Sequence, residues 1–245
     1  MSRVRPIVLT IGGFDPSAGA GVLADLKTFE QHKVYGLAVN TANTVQTEDK
    51  FFEFNYLSED LILQQLKPLI EQYKIEWVKI GLIENWSTIL RIRELLSPKT
   101  KIIWDPILSI SSGPEFKGQM EIIDEVLESV DYITPNWEEA EKITSSTGVK
   151  AGNTLAEKTV VYLKGGHNEA DLGKDMIFEK GEHLFNLNNY SKAATAKHGS
   201  GCTLAAALTA NLANGYKLKR ASLNAKKYVT ALLESNKTLL GYHKK

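Results

Sequence analysis

Apolar and polar residues alternate in blocks along the chain, and the blocks switch between two periods. Residues 4–11 form an apolar run ending in glycines, the pattern of a buried strand. Residues 20–31 carry Leu23, Leu26 and Phe29 at helical spacing. Residues 35–45 and 51–57 read as strands. Ser58 predicts a helix N-cap, with Glu59 and Asp60 in the first turn and Ile62, Leu66, Leu69, Ile70 and Tyr73 as the apolar face. Strand 77–80, helix 87–96, strand 101–104, helix 120–127, strand 132–134, helix 137–144 and strand 159–163 follow. Segments 175–178 and 183–187 flank Lys180-Gly181, a hairpin signal. The last quarter reads as two helices, 202–214, closed by Gly215 at C′, and 218–240. Repeated β-then-α units predict a mostly parallel sheet covered on both faces, an α/β sandwich of three layers. Ligands of such sheets sit beyond the C-terminal ends of strands.

Composition narrows the class. At roughly 150 residues per domain, 245 residues without a linker or repeat fit one domain over 1–245. Lys+Arg and Asp+Glu are both 29, so no basic excess points to nucleic acid or an anionic membrane. Cys202 is the only cysteine, which excludes an intrachain disulfide and fits a reducing, cytoplasmic setting. No apolar run approaches the ~20 residues of a membrane span, and the N-terminal run is short for a signal peptide.

Five polar clusters stand out, most of them at predicted strand ends. In His198-Gly199-Ser200-Gly201-Cys202-Thr203 a glycine turn runs into a helix rich in small residues. Aligned amides and the helix start make an anion site suited to phosphate. The bland alternative is a flexible loop with Cys202 packed as a small hydrophobe. A thiol at a helix start is expected below its free pKa of roughly 8.5, able to act as base or nucleophile. The early loop Gly12-Gly13-Phe14-Asp15-Pro16-Ser17-Ala18-Gly19-Ala20-Gly21, followed by Asp25, suits close approach of a small substrate. Asp15 reads equally as a helix cap. The Gly19-x-Gly21-x-x-Ala24 match to a dinucleotide fingerprint lies too far past its strand and lacks the later acid.

Asp105 follows a strand, where metal and phosphate are usually handled, or is a plain loop carboxylate before Pro106. Asn136 and Glu139 share one side of a first helical turn, or serve only as a cap and a dipole partner. Lys164-Gly165-Gly166-His167 offers a cation and glycines, or a solvated turn. Together the clusters point to nucleotide phosphoryl transfer. No Walker A loop and no protein-kinase signature is present. The five histidines are scattered, and no His/Cys cluster has zinc spacing.

The chain resembles the ribokinase superfamily, and within it the hydroxymethylpyrimidine/phosphomethylpyrimidine kinases of thiamine biosynthesis. The resemblance covers nearly the whole chain. It rests on GGFDPSAGAGVLADLKTF at 12–29, Gln46 in TVQT, KIGLI at 79–83, Asp105, ITPNWEEA at 133–140, LKGGH at 163–167 and KHGSGCTLAAAL at 197–208. It implies a ribokinase-like three-layer fold, commonly a homodimer, that uses ATP and Mg²⁺. It implies that Gly13, Asp25 and Gln46 hydrogen-bond an aminopyrimidine, with Ala20 and Leu82 in the apolar wall. Gly199, Ser200, Gly201 and Cys202 form the anion hole by the same likeness. The resemblance also implies that Cys202 would be the base, where many superfamily members have aspartate, that Asp105, Asn136 and Glu139 would hold Mg²⁺ directly or through waters, and that Lys164, Gly165, Gly166 and Thr203 would lie on the ATP side.

The chain departs from the family pattern at Leu82, Thr44 and Phe14, which stand for methionine, an apolar residue and a smaller polar one. The stretch from 144 to 159 is also short where relatives carry a further helix. Pyridoxal or pyridoxine kinases share much of the motif set but often add a cysteine beside the glycine loop. Lys197 and His198 stand there instead, which favours the pyrimidine. A non-catalytic ligand-binding relative and a nicotinamide-dependent oxidoreductase are the remaining alternatives.

Overall fold

The computed structural model describes residues 4–108, 119–167, 173–188 and 195–244. Nine strands form one sheet: β1 (Ile7–Phe14), β2 (Tyr35–Gln46), β3 (Phe51–Tyr56), β4 (Trp77–Ile80), β5 (Lys101–Trp104), β6 (Tyr132–Ile133), β7 (Val160–Leu163), β8 (Asp175–Glu179) and β9 (Glu182–Leu187). Their order is β3-β2-β1-β4-β5-β6-β7-β8-β9. The core from β2 to β7 is parallel, and β3, β8 and β9 add antiparallel edges. The chain builds leftward from β1 to β3, then crosses back to place β4 on the other side of β1. That reversal opens a crevice at the C-terminal ends of β1 and β4.

Among the described residues eight α-helices cover the sheet: α1 (Gly21–Gln31), α2 (Glu59–Gln72), α3 (Ser87–Leu95), α4 (Ile123–Ser129), α5 (Trp137–Thr144), α6 (Val149–Ala156), α7 (Ser200–Ala213) and α8 (Leu218–Leu233). Side chains alternate along each strand, so one strand feeds two cores. Leu9 and Ile11 of β1 pack with Ile62, Leu66, Ile89, Ile92, Val126 and Leu155 from α2, α3, α4 and α6. Val8 points the other way, to Phe29 of α1 and Ala206 and Ala210 of α7. Helix α7 lies between sheet, α1 and α8, and every residue from Cys202 to Leu212 is buried. A helix enclosed on all sides must be mostly apolar and slim where neighbours approach, which explains its alanines, and its buried Thr209 and Asn211 donate to carbonyls one turn back.

Ser58 caps α2 as expected, accepting the Leu61 amide. Lys180 and Gly181, both at positive φ, make the β8–β9 turn, and Gly215 follows α7 at φ 85°. Three expectations need correction. β1 begins at Ile7, because Pro6 has no N–H to enter the ladder and Val4 is exposed. The 144–159 stretch does hold a helix, α6, entered through Gly148 at φ 59°, whose amide donates to Glu141. α8 stops at Leu233, not near 240: Asn236 Oδ1 accepts the Thr238 amide at 2.9 Å, turning the chain back toward the glycine loop at 197–201. Among the described residues no helix is long and apolar enough to cross a membrane.

Candidate active site

Two glycine loops meet in the crevice. The loop after β1 returns on itself, and Gly21 opens α1 at φ 59°; a Cβ there would lie 2.2 Å from the Gly13 carbonyl oxygen. The Gly21 amide lies near enough to the sulfur of Cys202 to favour its thiolate, so the thiol sits where the early loop meets the start of α7. Gly199, at φ 71°, caps α7, and the Thr203 amide donates to its carbonyl at 2.9 Å. The first-turn amides of Gly201 and Cys202 take no backbone acceptor among the described residues. These donors and the positive end of a 14-residue helix face the same region.

The sulfur's acidity runs opposite to expectation. Burial pushes the Cys202 thiol up to about 11; Lys79 and the Gly21 amide pull it down, while Asp105 and Asp25 add to the rise. Desolvation of a thiolate outweighs one helix terminus here, since the side chain is only 8% exposed.

A second group of charges lies beside the loop. Asp105 Oδ1 accepts Lys164 Nζ at 2.8 Å and Thr134 Oγ1 at 3.1 Å, and Glu139 Oε2 is 3.7 Å from the same ammonium. A Cβ on Gly201 would stand 3.4 Å from that Nζ, so Lys164 links the two acids to the α7 loop. Burial alone would lift the Asp105 carboxyl, but Lys164 and Lys79 hold it below the usual carboxylate range. Burial pushes Glu139 up, with Lys164 opposing and Asp105 reinforcing the rise.

Asn136 has a prior commitment. Its Oδ1 accepts the Glu139 amide at 2.8 Å and Glu139 Oε2 accepts the Asn136 amide at 2.7 Å, a capping box that starts α5. The N-x-x-E spacing therefore builds a helix end first. Two carboxylates suit Mg²⁺ when waters and phosphate oxygens complete the shell. Asp105 and Glu139 fit that role, while the Asn136 oxygen is already engaged. Among the described residues no group of three or more His, Cys, Asp or Glu side chains is placed to hold a metal.

The expected substrate contacts divide similarly. Leu82 Cδ2 would stand 3.1 Å from a Cβ on Gly13, so the wall and the glycine do adjoin. Ala20 is the N-cap residue of α1, and Gln46 ends β2. Thr44, polar where an apolar residue was anticipated, donates to the Phe14 carbonyl at 3.0 Å and ties β2 to the loop. Asp25 is wholly buried; its Oδ2 accepts Thr10 Oγ1 at 2.6 Å and Lys79 Nζ at 2.9 Å, and its Oδ1 has no partner among the described residues. Lys79 escaped the sequence reading, although a lysine inside the apolar strand Trp77–Ile80 was the signal for a buried partner. Burial opposes its charge, but Asp25, Cys202 and Asp105 hold its pKa above the ordinary lysine value.

Among the residues expected on the nucleotide side, the Gly165 amide donates to Asp175 Oδ1 at 2.8 Å. A Cβ there would lie 2.0 Å from the Lys174 carbonyl oxygen, so the residue before β8 already takes the space that this glycine leaves. A Cβ on Gly166 would meet nothing within 4 Å among the described residues. Thr203 is buried, with Oγ1 unpartnered among the described residues.

Gly199→Ala is expected to destabilise the fold by about 3 kcal/mol, from left-handed strain plus overpacking. Its Cβ would fall 2.1 Å from the Gly19 carbonyl oxygen. Urea unfolding checks this, and a wild-type midpoint would contradict the close approach of the two loops.

Comparison with known proteins agrees with this architecture. Residues 15–245 match the phosphomethylpyrimidine kinase family. The hydroxymethylpyrimidine/phosphomethylpyrimidine kinase of Aquifex aeolicus is 34% identical over 247 residues, covering 95% of this chain and 96% of that protein. The structure of pyridoxal kinase from Staphylococcus aureus in complex with ADP superposes with a TM-score of 0.82 at 28% identity, over 95% of this chain and 89% of that one. Phosphomethylpyrimidine kinase from Clostridium difficile gives 0.76 at 31% identity, over 92% and 98%. The fold and site define a ribokinase-like α/β kinase, a phosphotransferase. Within that class the chain belongs to the phosphomethylpyrimidine kinase family.

Proposed function

We propose that this kinase uses ATP and Mg²⁺ to phosphorylate 4-amino-5-hydroxymethyl-2-methylpyrimidine, and then its monophosphate to the diphosphate. The observation that carries the reading is the position of Cys202. Its sulfur lies beside the Gly21 amide of the early loop, and its own amide belongs to the first turn of α7, with no backbone acceptor among the described residues. An alcohol bound against the early loop and a phosphoryl group bound at the helix start would meet at that sulfur.

Phosphoryl transfer is mainly positioning and charge stabilisation. The alcohol oxygen attacks the γ-phosphorus, the bond to the ADP oxygen breaks, and the alcohol proton passes to the Cys202 thiolate. The amides of Gly201 and Cys202 offset charge on the equatorial oxygens, and Lys164 adds a cation beside Gly201. Bound Mg²⁺ would supply further neutralisation of the phosphates, held by Asp105 and Glu139. Gly13, Ala20 and Leu82 would shape the pyrimidine pocket. Gln46 and the unpartnered Oδ1 of Asp25 would supply polar contacts to it.

Pyridoxal is the competing substrate, favoured by the likeness to the Staphylococcus aureus pyridoxal kinase. Against it, Cys202 is the only thiol in the chain, so none neighbours it in the glycine loop. Mass detection after incubating the pyrimidine alcohol or pyridoxal with ATP and Mg²⁺ decides. The expected products are pyrimidine monophosphate followed by diphosphate. Pyridoxal phosphate as the main product would overturn the substrate assignment, and no phosphorylated product from either alcohol would overturn the function.

A further inference from the structure

One contact joins the two glycine loops through side chains. His198 Nε2 lies 2.9 Å from Asp15 Oδ2, across 183 residues of sequence, and both side chains are buried. We propose that Asp15 and His198 are positioning residues, a latch that sets the alcohol-binding loop against the phosphoryl-binding loop for transfer. The inference rests on the kinase reading above.

Asp15 organises its own loop completely. Its Oδ1 accepts the Ser17 amide at 2.9 Å and the Ser17 hydroxyl at 2.8 Å, and its Oδ2 accepts the Ala20 amide at 2.8 Å. One carboxylate thus fixes the turn from its first residue to the residue that precedes Gly21. Burial would lift its pKa, but His198, Ser17 and the loop amides hold it below the ordinary value, so it stays an acceptor. The ring nitrogen facing it must carry the proton.

His198 is just as constrained. Its amide donates to the Leu239 carbonyl at 3.0 Å, and the next residue is Gly199, the cap of α7. A Cβ on Gly19 would fall 2.6 Å from the His198 ring, and one on Gly199 would fall 2.1 Å from the Gly19 carbonyl oxygen. The loops are therefore in backbone contact, and the imidazole–carboxylate bond holds them there. At one end the latch is one residue from the phosphoryl-binding turn. At the other, through Ala20, it is one residue from Gly21, whose amide lies near the Cys202 sulfur. Neither side chain reaches the Lys164–Asp105–Glu139 group. Misplacing reactants by about 1 Å costs about 10²-fold in rate, so a loosened latch should reduce turnover before it reduces nucleotide affinity.

The test compares His198→Leu, His198→Gln, Asp15→Asn and the His198→Leu/Asp15→Asn double variant. Glutamine keeps a donor of similar reach. The readouts are kcat and KM for the alcohol that the wild type accepts, KM for ATP, and hydrogen exchange of segments 15–21 and 197–202. His198→Leu should lose about 10²-fold in kcat with KM for ATP within about threefold, and His198→Gln should recover most of the loss. The double variant should be no worse than the poorer single, and either single should speed exchange in both segments. Wild-type kcat in a folded His198→Leu protein, losses that multiply, or faster exchange in one segment only would overturn the latch. Equal decline of every parameter with a fall in melting temperature would assign the pair to folding alone and overturn it too. A wild-type protein that phosphorylates no alcohol overturns the kinase reading instead; joint exchange in the variants would still show the loops coupled.

Discussion

Cys202→Ala is expected to lower kcat by about 10²–10⁴-fold, the usual worth of a positioned general base. Affinity for ATP should stay near wild type, because the alanine keeps the amides of the α7 first turn. Calorimetric titration of nucleotide and a coupled ADP-release assay separate the two. The sulfur also predicts a pH profile with a definite sign. A thiol pushed up to about 11 holds little thiolate at neutral pH, so kcat/KM should climb with pH toward that value. Full turnover in the alanine variant, or a profile flat from pH 7 to 10, would remove Cys202 from the proton-accepting role.

Lys79→Met is expected to destabilise the protein by about 3–5 kcal/mol, the cost of breaking a buried ion pair by removing one partner. The pair is extreme in its burial: side-chain exposures are 1% for Lys79 and 0% for Asp25. Methionine fills the volume of the lysine stem but leaves Asp25, whose pKa burial already raises, with Thr10 as its one remaining hydrogen-bond partner among the described residues. For a chain of this size the loss corresponds to a fall of roughly 10 °C in melting temperature. Adding Asp25→Asn should restore part of it by removing the stranded charge. Thermal unfolding of the three variants tests the cycle. A single Lys79→Met variant as stable as wild type would mean that the pair contributes nothing net.

Much of the fold was legible because its elements are regular. β4, β5 and α5 fall where the periodicity placed them, and the hairpin at Lys180-Gly181 follows from its turn chemistry. The ends that moved were set by single residues acting against the pattern. Pro6 shortened β1, and Asn236 turned the chain where the apolar spacing alone continued α8. Helix α6 was missed because it is only eight residues long and opens on Gly148 without a side-chain cap.

The site was legible as clusters but not as commitments. Sequence placed Asp105, Glu139 and Lys164 at strand ends and the glycine loop at a helix start, and the fold brings them together. It offered a cap as one of two readings of Asn136 without deciding between them, and it did not show that burial outweighs the helix terminus at Cys202. Those outcomes depend on distances across layers, which no local pattern carries. The Asp15–His198 contact is of the same kind, since its partners are adjacent only after the sheet has closed.

The crevice draws its parts from opposite ends of the polypeptide: Gly13, Gly21 and Asp25 come early, Cys202 and its amides late. At a translation speed of about 5–20 residues per second, the two halves leave the ribosome about 10–40 s apart. During that interval the strands of the sheet have been synthesised, while the glycine loop and α7 that complete the crevice have not. Catalytic competence thus arrives as one of the last events in the birth of the molecule.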